Sequence, residues 1–236
     1  MDAYNSWLVD IIWYDYSSMN ENIYQNKYWE REGLEGRRKP RHPVVAAYVL
    51  PKLDIIKRYV ELAPHLRLLD VGCGNGFFGS YLAELCELYG VDYSHKMLRM
   101  NPIENKFVMD VNQIGFKSEA FDIVFCHALL HHVEDIDRII QEMRRVSKKY
   151  VIILEPNRNN PLMFLFSLAV KEERKALRFS KSYLVRMVER NGLTVIDSFS
   201  FGMCTPNKIP ICLLPLVNRF NFKQPLGMTN FIIARK

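Results

Sequence analysis

The sequence predicts an α/β fold: a doubly wound, seven-stranded, mostly parallel sheet with a helical N-terminal cap. Three observations carry this. From Arg67 onward, short apolar runs alternate with amphipathic stretches at βα spacing. The runs are largely apolar rather than alternating, as in strands covered on both faces. An apolar run closed by Asp70 then enters three glycines at every second position, LLDVGCGNGFFG (68–79), as a chain does when a strand turns sharply into a helix.

The elements follow in order. Residues 1–66 read as the cap: NSWLVDIIWYDYSS and HPVVAAYVLPKLDIIKRYVEL show a rough helical repeat, the second interrupted at Pro51. The run RRKPR (37–41) between them reads as a solvated linker, with an anion clamp as the alternative. Tyr14, Tyr16, Tyr24, Tyr28 and Trp29 suit either a lid over a cationic ligand or the core of the cap. Residues 67–236 form the main domain, with strands RLLDV (67–71), LYGVDY (88–93), KFVMDV (106–111), FDIVFCHA (121–128) and YVIILEP (150–156). Between them, GFFGSYLAELCEL puts Phe78, Tyr81, Leu82 and Leu85 on one helical stripe, and EDIDRIIQEMRRVSKK does so for Ile136, Ile139, Ile140, Met143 and Val146. The second helix opens on three acids and closes on four bases, matching its dipole. Asn160 before Pro161 is a helix start, and SKSYLVRMVERNG (180–192) a helix capped by Ser180 or Ser182 and stopped by Gly192. LTVIDSFSFG and MTNFIIARK supply the last strands, separated by a proline-broken insertion (205–227) that is expected to wall a pocket or form an interface.

Composition narrows the classes. The five cysteines, Cys73, Cys86, Cys126, Cys204 and Cys212, are odd in number and widely spaced, so neither a disulfide framework nor a zinc site is indicated, and reduced thiols in the cytoplasm are expected. No acidic constellation suggests magnesium; no metal is expected. Acids, and no Lys or Arg before Lys27, exclude a signal or transit peptide at the N-terminus. The apolar runs 162–170 and 211–217 fall short of the roughly 20 residues a bilayer requires, which leaves peripheral membrane contact open. Residues 157–236 carry 13 Lys or Arg against 4 Asp or Glu, a net +9, leaving −3 on residues 1–156. A basic third of this kind is usually a solvated face and less often a surface for RNA or anionic lipid.

The glycine loop points to a ligand. Gly72, Gly74 and Gly76 permit positive φ and close approach to backbone, and Asp92 ends the next strand 22 residues after Asp70, near the offset at which an acid reaches a ribose diol. Here the third glycine stands one position early for the dinucleotide pattern GxGxxG. Asp70 would also sit poorly beside a pyrophosphate but well near an ammonium group. An adenosine ligand with a cationic amino-acid tail, S-adenosylmethionine, fits best.

These residues resemble the first motif of class I S-adenosylmethionine-dependent methyltransferases, and the similarity runs through most of residues 67–203. The resemblance implies that Gly72 and Gly74 line the methionine and ribose portion. It implies too that Asp92 in GVDYS holds the ribose hydroxyls with Tyr93 beside it, and that Asp110 in FVMDV meets the adenine amino group with Val111 against the ring. His127 in FDIVFCHALLHHVED would stand near the sulfonium. KKYVIILEPN resembles the fifth-strand motif, without the Pro-Gly-Gly usually found ahead of it.

A sulfonium methyl is already activated, so the protein's task is to place a nucleophile in line and exclude water. A base is needed only for a hydroxyl, an acidic carbon or a protonated amine; His131 and His132 follow the fourth strand and are the candidates. No (N/D)PPY and no Pro-Cys pair is present, which argues against adenine-amine and cytosine-C5 chemistry. The expected reaction is methyl transfer to a small molecule, apolar or lipid-like. The alternatives are RNA or protein methylation on the basic face, NAD-dependent dehydrogenation, and cofactor binding without turnover.

Overall fold

The computed structural model describes residues 37–207 and 209–236. The seven strands form one sheet in the order β3-β2-β1-β4-β5-β7-β6. They are β1 (Arg67–Val71), β2 (Glu87–Asp92), β3 (Asn105–Val108), β4 (Phe121–His127), β5 (Ser147–Pro156), β6 (Thr194–Phe201) and β7 (Thr229–Arg235). The first five are mutually parallel, and β7 runs antiparallel between β5 and β6. The sheet reverses its winding between β1 and β4, where their carboxyl ends diverge and leave a crevice.

The strands alternate faces as a doubly covered sheet requires. Leu68, Ile123, Phe125, Ile152, Leu154, Phe231 and Ile233 enter one core. Leu69, Val71, Val124, Val151, Ile153, Ile232 and Ala234 enter the other. Helix α1 (Pro43–Ile56) covers the first face through Val44, Val45, Val49, Leu53 and Ile56. It is thus built into the same core as the sheet. Pro51 does not interrupt it; the proline removes one helical hydrogen bond, and the Lys52 ammonium donates to the Tyr48 carbonyl at 3.0 Å. Residues 1–36, with Tyr14, Tyr16, Tyr24, Tyr28 and Trp29, lie outside the described residues.

The helix after the glycine loop is shorter than its apolar stripe predicts. α2 is Gly79–Leu82, and the chain then tightens into three-residue turns, Glu84 N to Tyr81 O and Leu85 N to Leu82 O. Phe78, Tyr81 and Leu82 are nevertheless buried as the stripe requires. α3 (His95–Met100) is capped by the Ser94 hydroxyl. On the second face lie α4 (Ile136–Val146) and α6 (Lys181–Arg190), capped by Asp135 and Ser180. α4 ends before Lys148 and Lys149, which belong to β5, so only Arg144 and Arg145 stand in its last turn. Gly192, at φ +77°, ends α6 as predicted.

α5 (Pro161–Ala169) starts at Asn160, whose side chain accepts from Met163 N at 2.9 Å and donates to Leu226 O at 2.6 Å. The insertion after β6 carries α7 (Leu214–Asn218) and many exposed apolar side chains. RRKPR is no solvated linker: Arg38 donates to the carbonyls of Pro206 and Ile209, and the Arg41 guanidinium lies 4.4 Å over the Tyr81 ring while pairing with Glu84. Flat cations over aromatic rings hold this segment to the body. No described helix is long and apolar enough to cross a membrane.

Candidate active site

A cavity of about 1100 Å³ opens at the carboxyl ends of β1, β2, β4 and β5. Its lining takes in Asp70, Gly72, Gly74, Asp92, Tyr93, Val111 and His127 from the sheet and its loops, and Leu162, Met163, Phe166, Ile209 and Pro210 from α5 and the insertion.

The glycine loop takes its shape from backbone and neighbours together. Gly72 has φ +73°, and a Cβ there would meet the Leu129 side chain at 3.0 Å; at Gly76, φ +81°, it would collide with Asn101 Oδ1. Asn101 itself donates to the Gly74 carbonyl at 2.9 Å. Asp92 closes the loop from β2: one carboxylate oxygen accepts from Gly74 N and the other from Ser94 N, each at 2.8 Å. Asp70 lies beneath, 2% exposed. Burial, and then the charge of Asp92, push its carboxyl up to about 8.

Asp110 follows β3. Its Oδ1 accepts from both the backbone N and the side-chain amide of Asn112 at 2.8 Å, and among cavity-lining residues it is Val111, not Asp110, that appears. An aspartate after a strand has made an Asx turn that aims its neighbour inward. His127 ends β4 with its Nε2 2.6 Å from the Tyr48 hydroxyl and its ring 4.7 Å from that of Phe78. Burial and then Lys52 push it down to about 3, so it is a neutral ring. Next to it Ala128 holds φ +52°, a conformation unfavourable for a residue with a Cβ, where the chain leaves the sheet.

The His131–His132 pair sits in a 3-10 turn (Leu130–His132), both rings buried and 4.0 Å apart between centroids. Glu155 organises this turn: one oxygen accepts from Leu129 N (2.9 Å) and Leu130 N (2.7 Å), and the other faces His131 Nδ1 at 2.6 Å. His131 Nε2 lies 3.2 Å from Glu173 of the 3-10 segment Lys171–Arg178. Burial opposes a charge on His131, but Glu155 and Glu173 outweigh it and hold the ring charged well above the ordinary histidine range. Acting as a base would first require this ring to give up the proton that the two carboxylates favour.

Sequence reading missed Glu155, Glu173 and Tyr48. Glu155 did leave a signal, as the one acid within the apolar run YVIILEP. Glu173 lies 42 residues from His131 and Tyr48 79 from His127, and no local pattern joins either pair. The structure also gathers a possible metal-ligand set, His131, His132 and Glu173, that no sequence spacing displays.

Residues 69–154 match the family model described as a methyltransferase domain. The ubiquinone biosynthesis O-methyltransferase of Hahella chejuensis is 28% identical over 158 residues, 62% of this chain and 63% of that protein. The malonyl-[acyl-carrier protein] O-methyltransferase of Legionella pneumophila is 32% identical over 99 residues, 38% of this chain and 34% of that one. The chain thus spans less than two thirds of the length of these relatives. In fold, it matches a SAM-dependent methyltransferase from Thermotoga maritima, described as a possible histamine N-methyltransferase. There the TM-score is 0.65 at 19% identity, covering 82% of this chain and 91% of that one. Residues 69–154 thus carry a methyltransferase domain, and the fold is that of the S-adenosylmethionine-dependent methyltransferases.

Proposed function

We propose that the protein transfers a methyl group from S-adenosylmethionine to a small-molecule acceptor with an apolar body. The observation that carries this is the junction of Asp92 with Gly74 beside a cavity that α5 and the insertion line with apolar side chains. When bound, the cofactor supplies a methyl group on a positively charged sulfur, ready for in-line displacement.

The chain's own residues would hold and orient the two reactants. Asp92, fixed by Gly74 N and Ser94 N, faces the ribose hydroxyls, with Tyr93 beside it. The backbone of Gly72 and Gly74 lets the methionine and ribose portion lie against the loop, and Asp70 answers the amino-acid ammonium. Val111 packs against the adenine, and Asp110 acts at one remove by anchoring the turn that presents it. Neutral His127, held by Tyr48, borders the sulfonium without repelling it. His131 and His132 edge the acceptor's side, where Leu162, Met163, Phe166 and Ile209 exclude water. A dinucleotide is disfavoured because α2 is a single turn, too short to offer a pyrophosphate much of a dipole, and Asp70 adds negative charge beneath it. RNA or protein methylation is the less favoured reading: on the basic third, Lys175, Arg190, Lys223 and Lys236 are already paired with Glu134, Asp137, Asp197 and Glu119. The free thiols suit a reducing cytoplasmic setting.

Calorimetric titration with S-adenosylmethionine, S-adenosylhomocysteine and NAD tests the cofactor reading. Binding of the two sulfur nucleosides without NAD is expected; binding of NAD alone would overturn it. Methyl incorporation from labelled cofactor into fractionated small molecules then distinguishes a catalyst from a binder.

A further inference from the structure

The cavity lining also holds a cluster of three ligating side chains. His131, His132 and Glu173 each turn one ligating atom toward a common point, and the three atoms lie within 4.8 Å of one another. All three residues line the cavity. A hydrogen-bonded chain from Glu155 through His131 to Glu173 joins two of these residues, and the His132 ring packs against that of His131 with centroids 4.0 Å apart.

From this convergence we infer that His131 Nε2, His132 and Glu173 form a binding site for a divalent transition-metal ion of the zinc type. Two imidazoles and a carboxylate are the donor set such ions favour, in preference to magnesium or calcium. The separation suits it: ligands held at about 2.0–2.1 Å around a tetrahedral ion stand about 3.3–3.4 Å apart, and His131 Nε2 lies 3.2 Å from the Glu173 oxygen. The support behind the ligands is in place as well. Glu155 faces His131 Nδ1 at 2.6 Å, the carboxylate–histidine arrangement that fixes which nitrogen keeps its proton and leaves Nε2 for a metal. Glu155 is itself anchored by the amides of Leu129 and Leu130. Charge also balances: a dication in place of the Nε2 proton is matched by the carboxylates of Glu155 and Glu173.

Three protein ligands leave one tetrahedral position open, and the cluster borders the cavity. That position suits an acceptor with an ionisable oxygen, whose proton passes to solvent on coordination. This role, unlike the ion site itself, rests on the methyltransferase reading.

The test uses the whole chain in a Cys212→Ser background, which removes the one exposed thiol from competition. Chelator-stripped protein is titrated with Zn²⁺ by calorimetry and with Co²⁺ by visible absorption, and S-adenosylmethionine binding is measured on the same samples as a check of folding. One ion per chain is expected, with the intense visible bands of tetrahedral Co²⁺. Both are lost in His132→Ala and in Glu173→Gln while cofactor binding persists. Glu155→Gln should weaken the ion about 10–100-fold. Failure of the parent to bind one ion, or binding that survives both ligand substitutions, would overturn the site. Either result beside intact cofactor binding would leave the methyltransferase reading standing.

Discussion

The Asp92 carboxylate lies 2.8 Å from the Gly74 amide, so the end of β2 grips the loop that leaves β1. One side chain therefore shapes the glycine loop and faces the cavity the loop borders. Asp92→Ala is expected to weaken S-adenosylmethionine by about 1–3 kcal/mol, through unpaired ribose hydroxyls and a loosened loop. Calorimetry measures the loss, and unchanged affinity would rule out the ribose assignment.

If Asp70 answers the cofactor's ammonium group, cofactor binding is expected to depend on pH. Its carboxyl is raised from 3.8 to about 8 in the folded chain, by burial and then by Asp92. The folded state thus keeps a proton that the unfolded state has lost, and this group's contribution to stability declines as pH rises from about 4 to about 8. Chemical denaturation of the ligand-free protein should show that decline, and Asp70→Asn should flatten it. A cationic tail favours the ionised carboxyl, so affinity for S-adenosylmethionine should rise over the same window in the parent and far less in the asparagine variant.

Lys52 is 1% exposed, its ammonium 3.5 Å over the Tyr48 ring, and burial pushes it down to about 7. Between that value and its ordinary 10.5 the folded chain holds fewer protons than the unfolded one, so this residue costs less stability as pH climbs. Lys52→Met should stabilise the protein by about 1–3 kcal/mol in mildly acidic buffer, with the gain fading toward alkaline pH. Denaturant midpoints at several pH values would show it; a uniform loss of stability would mean that the bond to the Tyr48 carbonyl outweighs the buried charge.

Glu155→Ala should be far more damaging. It strands the amides of Leu129 and Leu130 and removes the partner of a buried His131 charge, a defect worth about 3–5 kcal/mol. A glutamine at this position keeps an acceptor for the amides and should cost clearly less. Thermal unfolding of the two variants separates backbone anchoring from charge pairing.

Much of this architecture is legible in the chain because it is local. Asp70, the three glycines and Asp92 report a strand, a turn and the next strand end within a span of 23 residues. Asn160, Ser180 and Gly192 mark helix ends through bonds to residues a few positions away. What escapes is decided by tertiary packing. Pro51 is tolerated inside α1 because that helix is pressed against the sheet, and the stripe from Phe78 to Leu85 is satisfied by turns as well as by a helix. RRKPR looks like a run of solvent-facing charge until Tyr81 and the carbonyls of Pro206 and Ile209 come into place. In the site, the glycine half is readable, whereas the Glu155–His131–Glu173 half depends on side chains 24 and 42 residues apart.

The position of β7 also governs how the molecule can be made. It is the last strand in the chain, yet it lies between β5 and β6 and pairs along its length with both. During translation, the open edge of β5 and the whole of β6 must wait for residues 229–235 to emerge before either finds its permanent neighbour. Until then two lengths of unpaired backbone are available to other nascent chains, a hazard for slow or overcrowded synthesis. Yield from a heterologous host should therefore respond to growth temperature and chaperone supply more than the finished sheet would suggest.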